Sequence, residues 1–317
     1  CAAVMTTAER FVFALGASGN PRKVSWCDQE NNTVWTPSAT NQAGDFELNS
    51  VGSLKCGKRV RGINLLFTDV DVHAATYIGL PYVYSFEKAG SGCGVISSQA
   101  VAAIDTAAIW MSKSGFWVYD GYVKPLVSDV GDYIFQNINY NQSSKVYAVH
   151  NSKYGEIIWF YPSSASNEND SYVSYNYREG HWAIGSLART AGTDRGVFTN
   201  PLMISSDGYI YEHEVGYAYD NAVPFAESGP YEIGSGDNIM SVRRVIPDEQ
   251  TLGEVVVSFK TRMYPMATET TYGPYTASQP TDVRFAARQV KVRYTGNVLE
   301  DWRVGVNRFD VVAMGKR

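Results

Sequence analysis

Cysteine is scarce in this 317-residue chain, which has only four, at positions 1, 27, 56 and 93. No two of them form a Cys-x-x-Cys pair, and no histidine stands at zinc-ligand spacing from them. These absences exclude a disulfide-dense scaffold and a zinc-ribbon site. We therefore expect free, buried thiols in a protein made in a reducing cytoplasm, with no metal or other cofactor.

Long apolar runs are also lacking. No stretch of about 18 apolar residues occurs, and a membrane-spanning helix needs at least that length, so we expect no membrane span. No charged-then-apolar leader opens the chain, so we expect no secretory signal. Because the chain begins at Cys1 rather than Met, we expect a processed or incomplete piece of a longer protein. Any repeats counted in it can then be fewer than in the complete protein.

The signatures of several enzyme classes are missing as well. There is no Gly-x-Ser-x-Gly elbow, no phosphate loop ending in Gly-Lys-Ser or Gly-Lys-Thr, and no sialidase-type Ser-x-Asp-x-Gly-x-x-Trp repeat. Cys93 lies between two glycines, which can expose a nucleophile, but a small buried thiol in a loop is the simpler interpretation. In Glu212-His213-Glu214 a strand would turn His213 away from both carboxylates, so the three would not converge on a metal ion.

Paired carboxylates are the remaining catalytic possibility. Asp69 and Asp71 have the residue type that glycoside hydrolysis on a propeller would need, but the sequence does not give their separation. From these absences we expect a protein that is not an enzyme, with no catalytic residue, no bound cofactor and no metal site.

What the sequence does contain is a recurrent pattern of short aromatic strands closed by turn residues. Tyrosine occurs 22 times and glycine 28 times. Strands rich in aromatic and β-branched residues, broken about every ten residues by turns, are typical of an all-β protein. Their loose recurrence predicts the repeated four-stranded sheets of a β-propeller. Clear examples are 115–121, 157–162, 172–177 and 207–212.

The pattern changes near residue 227, and it divides the chain into two predicted domains. Residues 1–227 are predicted to form a β-propeller-like domain, which can be incomplete in this chain. Within residues 228–317, the segments 283–286, 289–294 and 302–311 alternate between apolar and polar side chains, which predicts a small antiparallel sheet or sandwich. Between them, 217–230 reads as a linker. Less regular segments are predicted as a strand at 33–36, buried strands or a helix within 95–109, and a helix within 129–145 capped by Asp129.

Charge also differs between the two predicted domains. Residues 1–227 carry 15 basic and 22 acidic side chains, whereas residues 228–317 carry 12 and 10. Two basic groups are candidates for a partner interface, and ordinary solvated surface is the alternative for both. The first is Lys55, Lys58, Arg59 and Arg61. The second, on alternating strand positions that would form one row, is Arg284, Arg288, Lys291, Arg293, Arg303 and Arg308.

Several short segments are similar to the tail-nozzle proteins of short-tailed bacteriophages, also called head-completion or packaged-DNA stabilisation proteins. The segments that carry this resemblance are 20–26 with Trp35, 92–95, 115–121, 177–182, 211–214, 287–289 and 302–305. They are distributed over most of the chain.

The resemblance implies a propeller-containing subunit of a homo-oligomeric ring of six copies in the virion tail, made in the host cytoplasm. Such a ring lies below the portal and adaptor, continues the channel for double-stranded DNA without reading its sequence, and anchors fibres, spikes or a needle. We therefore predict a structural nozzle subunit that retains packaged DNA. The alternatives are a tail-associated propeller that binds or cleaves glycans, and a host propeller that acts as a scaffold for other proteins.

Overall fold

A computed structural model describes residues 1–217, 223–232 and 236–315 of the chain. The chain forms two compact units, Cys1–Glu214 and Val215–Arg317. The boundary therefore precedes the predicted position of 227. The reason is that Phe225–Glu227, assigned by sequence to the first domain, pairs with Gln289–Gly296 of the second unit. Part of the predicted linker, 218–222, lies outside the described residues.

The first unit contains five antiparallel sheets that follow one another along the chain. The first four have four strands each and the fifth has three, always in sequence order. The first two sheets comprise β1 (Ala3–Thr6), β2 (Val12–Leu15), β3 (Lys23–Trp26), β4 (Gly44–Glu47), β5 (Leu54–Val60), β6 (Ile63–Thr68), β7 (Asp71–Gly79) and β8 (Val83–Ser91). The other three comprise β9 (Val101–Ala103), β10 (Ala108–Met111), β11 (Phe116–Tyr119), β12 (Val123–Leu126), β13 (Tyr147–Asn151), β14 (Glu156–Tyr161), β15 (Ser171–Asn176), β16 (His181–Ser186), β17 (Ala191–Thr193), β18 (Leu202–Ile204) and β19 (Ile210–Glu212).

The first strand of each sheet lies beside the first strand of the next, from β1 through β5, β9 and β13 to β17. Just before β9, the Gln99 carbonyl accepts a hydrogen bond of 2.9 Å from the Ala148 amide of β13. Successive meanders joined through their inner strands are the arrangement of a β-propeller. The predicted all-β, propeller-like domain is confirmed, and so are the buried strands within 95–109, which are β9 and β10.

Aromatic side chains fill the spaces between consecutive sheets. Phe67 of the second sheet meets Trp110 of the third edge to face, with ring centroids 5.1 Å apart. The Trp110 indole donates a hydrogen bond of 2.7 Å to the Cys93 carbonyl, and the Trp159 indole donates one of 3.0 Å to the Ala100 carbonyl. Most of the aromatic pattern is therefore core packing, and each indole also satisfies a buried carbonyl in a connection between sheets.

The four cysteines are free. Cys27, Cys56 and Cys93 are buried, as predicted, whereas Cys1 is exposed. Burial raises the pKa of Cys56 to about 12 and, together with the nearby charge of Asp71, raises the pKa of Cys93 to about 11. The Cys93 thiol is thus a core group and not an activated nucleophile.

Two local predictions are corrected. The segment 129–145 contains a helix, α1 (Gly131–Asn137), followed by a 3-10 turn at Tyr140–Lys145, because Ile138 is extended and Asn139 caps the second turn. The N-cap is Val130 and not Asp129. No strand forms at 33–36, because the Asn31 side chain accepts hydrogen bonds from the amide and hydroxyl of Thr33 and closes a turn. The other short 3-10 turn is Ala17–Gly19.

The second unit is a β-sandwich. Its larger sheet has the order β20-β26-β23-β24, with β21 also paired to β26, and its smaller sheet has the order β25-β22-β27. Valine and phenylalanine side chains from both sheets form one core. The strands are β20 (Phe225–Glu227), β21 (Tyr231–Glu232), β22 (Met240–Ile246), β23 (Val255–Arg262), β24 (Thr270–Thr276), β25 (Thr281–Ala287), β26 (Gln289–Gly296) and β27 (Arg308–Ala313). This confirms the predicted C-terminal sandwich. Among the described helices, none has the length and apolar character to cross a bilayer.

Candidate functional site

A cavity of about 590 Å³ lies at one end of the strands of the first unit. In an antiparallel meander, the turn between the second and third strands lies at the same end as the connections to neighbouring sheets. The cavity is formed by these two kinds of loop from consecutive sheets. Its polar lining residues are Ser53, Lys55, Asp69, Ser97, Ser98, Lys113, Ser143 and Ser144.

The charged groups of the cavity are only loosely paired. The Lys55 ammonium lies 3.8 Å from an Asp69 carboxylate oxygen, and the other oxygen of Asp69 accepts a hydrogen bond of 2.7 Å from the Ser53 amide. Lys113, at the tip of the β10–β11 turn, is exposed, and no ion pair of its ammonium is found in the described part of the chain. The Ser97 hydroxyl donates to the Val146 carbonyl and so helps to fix the loop. The cavity therefore offers two cations, one carboxylate and several hydroxyl groups.

Asp71 does not join Asp69 in this cavity. Its side chain is 2% exposed and belongs to the Asp71 cluster, formed by the buried Ser50, Thr68, Asp71 and His73 and by Lys88, which reaches solvent. Its carboxylate accepts hydrogen bonds from the Ser50 hydroxyl at 2.7 Å and the Thr68 hydroxyl at 2.6 Å. The His73 ring lies at 3.2 Å and the Lys88 ammonium at 2.9 Å.

The hydrogen-bond donors around Asp71 favour the ionised form of its carboxyl group. Burial alone would raise the pKa of the Asp71 carboxyl, but the hydrogen bonds from Thr68, Ser50 and Lys88 outweigh burial and lower it. Burial also lowers the pKa of His73, against the attraction of Asp71. The hypothesis that Asp69 and Asp71 form a catalytic pair is wrong, because Asp71 is enclosed and its oxygens are occupied by donors.

A different pair of carboxylates lies at the opposite end of the strands. We call Asn151, Glu156 and Glu214 the Glu156 cluster. Asn151 and Glu156 face each other across β13 and β14, and the Asn151 amide donates a hydrogen bond of 3.1 Å to Glu214. Burial and then the negative charge of Glu214 raise the pKa of Glu156. Asn151 is 1% exposed, and its carbonyl oxygen has no hydrogen-bond partner among the described residues.

Sequence alone did not identify this pair, because Glu156 and Glu214 are far apart in the chain and the motif that contains Glu214 does not include Glu156. Within Glu212-His213-Glu214, Glu212 accepts a hydrogen bond of 3.0 Å from Asn200, and Arg189 donates one of 2.9 Å to His213. The side chains of this motif thus contact different partners. Among the described residues, no group of three or more His, Cys, Asp and Glu is arranged to hold a metal ion.

The first basic group does not form one patch. Lys55 is the second residue of β5, at the cavity, whereas Arg61 lies in the two-residue turn after β5 and donates to the Asp120 carbonyl. At about 3.3 Å per residue, these two positions are about 20 Å apart. Lys58 and Arg59 lie between them on the strand. Gly52, Gly57 and Lys58 have the spacing of a phosphate loop, but this segment is a strand, with Arg59 at the hydroxyl position.

The second basic group does not form one row. Lys291 and Arg293 lie on the outer face of the larger sheet, paired with Glu269 at 2.5 Å and Glu227 at 3.1 Å. Arg284 and Arg308 project from the outer face of the smaller sheet, on the other side of the sandwich. Strict alternation assigns a side chain to a face of its own strand, but β25 and β26 belong to different sheets, so their outer faces are opposite.

The other two members of this group are placed separately. The Arg288 guanidinium lies 6.0 Å from the centre of the Tyr264 ring, and the Arg303 backbone pairs with Leu252. An interface role for these six residues stays a prediction, now for two surfaces of the sandwich.

A groove of about 610 Å³ runs along the outer face of the smaller sheet. Arg243, Arg244 and Arg284 line it, together with Asp282 and Asp310. Neither Arg243 nor Arg244 was among the residues singled out from the sequence, since strict alternation along a strand would place only one of two consecutive side chains on the outer face.

Comparisons with known proteins give no family. No family model matches the chain, and no curated protein matches it. Among solved structures, a putative exported protein from Bacteroides fragilis has a TM-score of 0.34 at 9% identity, over 64% of this chain and 65% of that one, less than two thirds of its length. An exo-beta-1,3-galactanase from Phanerochaete chrysosporium, solved with galactose, has a TM-score of 0.37 at 10% identity, over 98% and 94%. The N-terminal domain of Nup159 has a TM-score of 0.40 at 10% identity, over 92% and 74%.

These comparisons correct the expectation that the chain is not an enzyme, because glycoside hydrolases are among the solved structures similar to it. The physical reason is that glycoside hydrolysis needs two suitably placed carboxylates and none of the motifs whose absence we noted. The tail-nozzle resemblance, the ring of six copies, the proposed partners and the location in a virion stay predictions.

Proposed function

We propose that this chain is a glycan-directed β-propeller whose ligand site is the cavity at the loop end of the first unit. The observation that carries this proposal is the lining of the cavity, with Lys55, Lys113 and Asp69 among five serines. Lysine donates and aspartate accepts hydrogen bonds, and a hydroxyl does both. This combination matches a ligand that presents many hydroxyl groups.

The size and position of the cavity also support a glycan. Small-molecule sites have volumes of roughly 300–1,000 Å³, and this cavity has about 590 Å³. Loops at one end of a rigid β scaffold can vary without disturbing the core, which is why binding residues concentrate there. The two lysines favour a sugar that carries a negative charge.

A glycan array probed with the full chain tests this proposal. Lys113→Ala is expected to weaken binding about tenfold, because it removes one charge-assisted contact. Lys153→Ala, which removes an exposed lysine from the β13–β14 turn at the other end of the strands, is the matched control. Failure of every glycan to bind, or equal binding by Lys113→Ala and the unmodified chain, would overturn the proposal.

Glycan cleavage is a second candidate, and the Glu156 cluster favours it. A general acid needs a raised pKa while its partner carboxylate stays ionised, and the pKa of Glu156 is raised next to Glu214. A reducing-end assay on the full set of array glycans, whether or not they bind in the cavity, should detect hydrolysis that Glu156→Gln and Glu214→Gln each abolish. Hydrolysis that persists in both variants would exclude this pair as the catalytic carboxylates.

Tail location is compatible with a glycan-directed role, since the predicted alternative to a nozzle was a tail-associated propeller. Native mass spectrometry of the chain, alone and with portal, adaptor and appendage proteins, tests this point. A six-fold species would support the nozzle prediction, and a monomer in all mixtures would contradict it.

A further inference from the structure

We propose that the second unit carries a separate binding site for an acidic polysaccharide, in the groove on the outer face of the smaller sheet. Arg243 and Arg284 would hold the anionic groups of the ligand. This site does not depend on the cavity of the first unit, and either site can exist without the other.

A β-bulge in β22 places Arg243 and Arg244 together on the groove side of the sheet. The pairing of β22 with both neighbours shifts register between Val242 and Arg244. Val242 and Val245 are both buried in the core, so the two residues between them face outward together. A bulge places two residues opposite one on the partner strand and redirects side chains in this way. Arg284 reaches the same face from β25, where Val283 and Phe285 point into the core.

Only one of these three arginines is neutralised. The Arg244 guanidinium contacts an Asp282 oxygen at 2.7 Å, an interaction that lowers the pKa of Asp282. Arg243 and Arg284 are exposed, and their guanidinium groups have no ion pair or hydrogen bond in the part of the chain that the structure describes. Two guanidinium groups therefore remain available for an oxyanion, which arginine can bind through two parallel hydrogen bonds.

The acidic side chains of the groove indicate which kind of polyanion fits. Asp282 and Asp310 line the same surface, and they would repel the closely spaced phosphates of a nucleic acid. Residues 215–317 contain 12 basic and 12 acidic side chains, so the unit lacks the positive field that nucleic-acid binding uses. A sugar polymer offers hydroxyl groups to these carboxylates as well as anions to the arginines.

Binding of the full chain to four polymers tests the proposal. Polygalacturonate and dextran sulfate present carboxylates and sulfates, neutral dextran presents hydroxyls alone, and duplex DNA presents phosphates. We expect binding to at least one acidic polysaccharide, weaker binding to DNA, and none to neutral dextran. The preferred acidic polymer identifies which anion the site takes.

Variants then locate the site. Arg243→Gln and Arg284→Gln should each weaken acidic-polysaccharide binding about tenfold, and thermal melts should show that both still fold. Arg262→Gln removes the same charge from β23 of the larger sheet, outside the groove and outside both basic groups, and should leave binding unchanged.

Stronger binding to DNA, equal binding to neutral dextran, or full binding by the Arg243→Gln/Arg284→Gln double variant would overturn the proposal. Loss of binding in Lys113→Ala but not in the arginine variants would place the polymer in the first-unit cavity. That result would refute this inference and leave the proposed function standing.

Discussion

The first unit contains two carboxyl groups that are partly or wholly shielded from water, those of Asp71 and Glu156. Their surroundings shift the two pKa values in opposite directions. Asp71 is surrounded by donors from Ser50, Thr68 and Lys88, and its pKa is lowered. Burial and then the negative charge of Glu214 raise the pKa of Glu156. The comparison teaches that burial pushes the pKa of both carboxyls upward, and that hydrogen-bond donors reverse this effect at Asp71 whereas a second carboxylate adds to it at Glu156.

Removal of the Asp71 carboxylate should give the largest effect. Asp71→Ala leaves the Ser50 and Thr68 hydroxyls and the His73 ring without their acceptor, and breaking a buried charged network costs about 3 kcal/mol. Urea denaturation at pH 7 measures this loss. Asp129→Ala, on the exposed surface, is the control and should change little. Equal stability of the two variants would mean that the Asp71 cluster does not hold the sheets together.

Two titratable groups of the Asp71 cluster, His73 and Asp71, predict an intermediate effect, a loss of stability in acid. The pKa of His73 is lowered from 6.5 mainly by burial, so below that pH the unfolded chain binds the proton more readily and stability falls. The pKa of Asp71 is lowered from 3.8, so its contribution is present above that pH and is lost as the pH falls further. Thermal melts between pH 7 and 3 should show both stages.

His73→Gln should flatten the upper stage of that profile and leave the lower one. His150 also has a lowered pKa, again mainly through burial, so His150→Gln should remove part of the upper stage independently. An unchanged slope between pH 7 and 5 in the double variant would contradict this assignment.

Neutralising Glu156 should have the smallest effect and the opposite sign. Its raised pKa means that the ionised form is disfavoured in the fold, so Glu156→Gln should stabilise the protein at pH 7 by less than about 1 kcal/mol. The gain should disappear as the pH falls below 4.5, the ordinary pKa of the group. Urea denaturation at pH 7 and pH 4 measures both. Destabilisation at pH 7 would show that Glu156 is a structural carboxylate like Asp71.

The sequence predicted the fold better than the sites. Aromatic strands with regular turns were sufficient to predict a propeller-like unit, because strand patterns and turn residues are local signals. The sites depend on register and on which strands share a sheet. Arg284 and Lys291 were predicted to lie in one row, but β25 and β26 belong to different sheets. The bulge that turns Arg243 outward cannot be recognised from the alternation of apolar and polar residues. Glu156 and Glu214 meet only through the tertiary fold.

The burial of three cysteines has a practical consequence. With Cys27, Cys56 and Cys93 enclosed and Cys1 exposed, a thiol-directed dye should attach to the native chain at its first residue alone. The enclosed thiols become reactive only when the sheets separate, so the rate at which they are alkylated measures how often the sheets open. Cys1 can therefore carry a single label for binding measurements, and the alkylation of the three buried thiols can be used to follow unfolding.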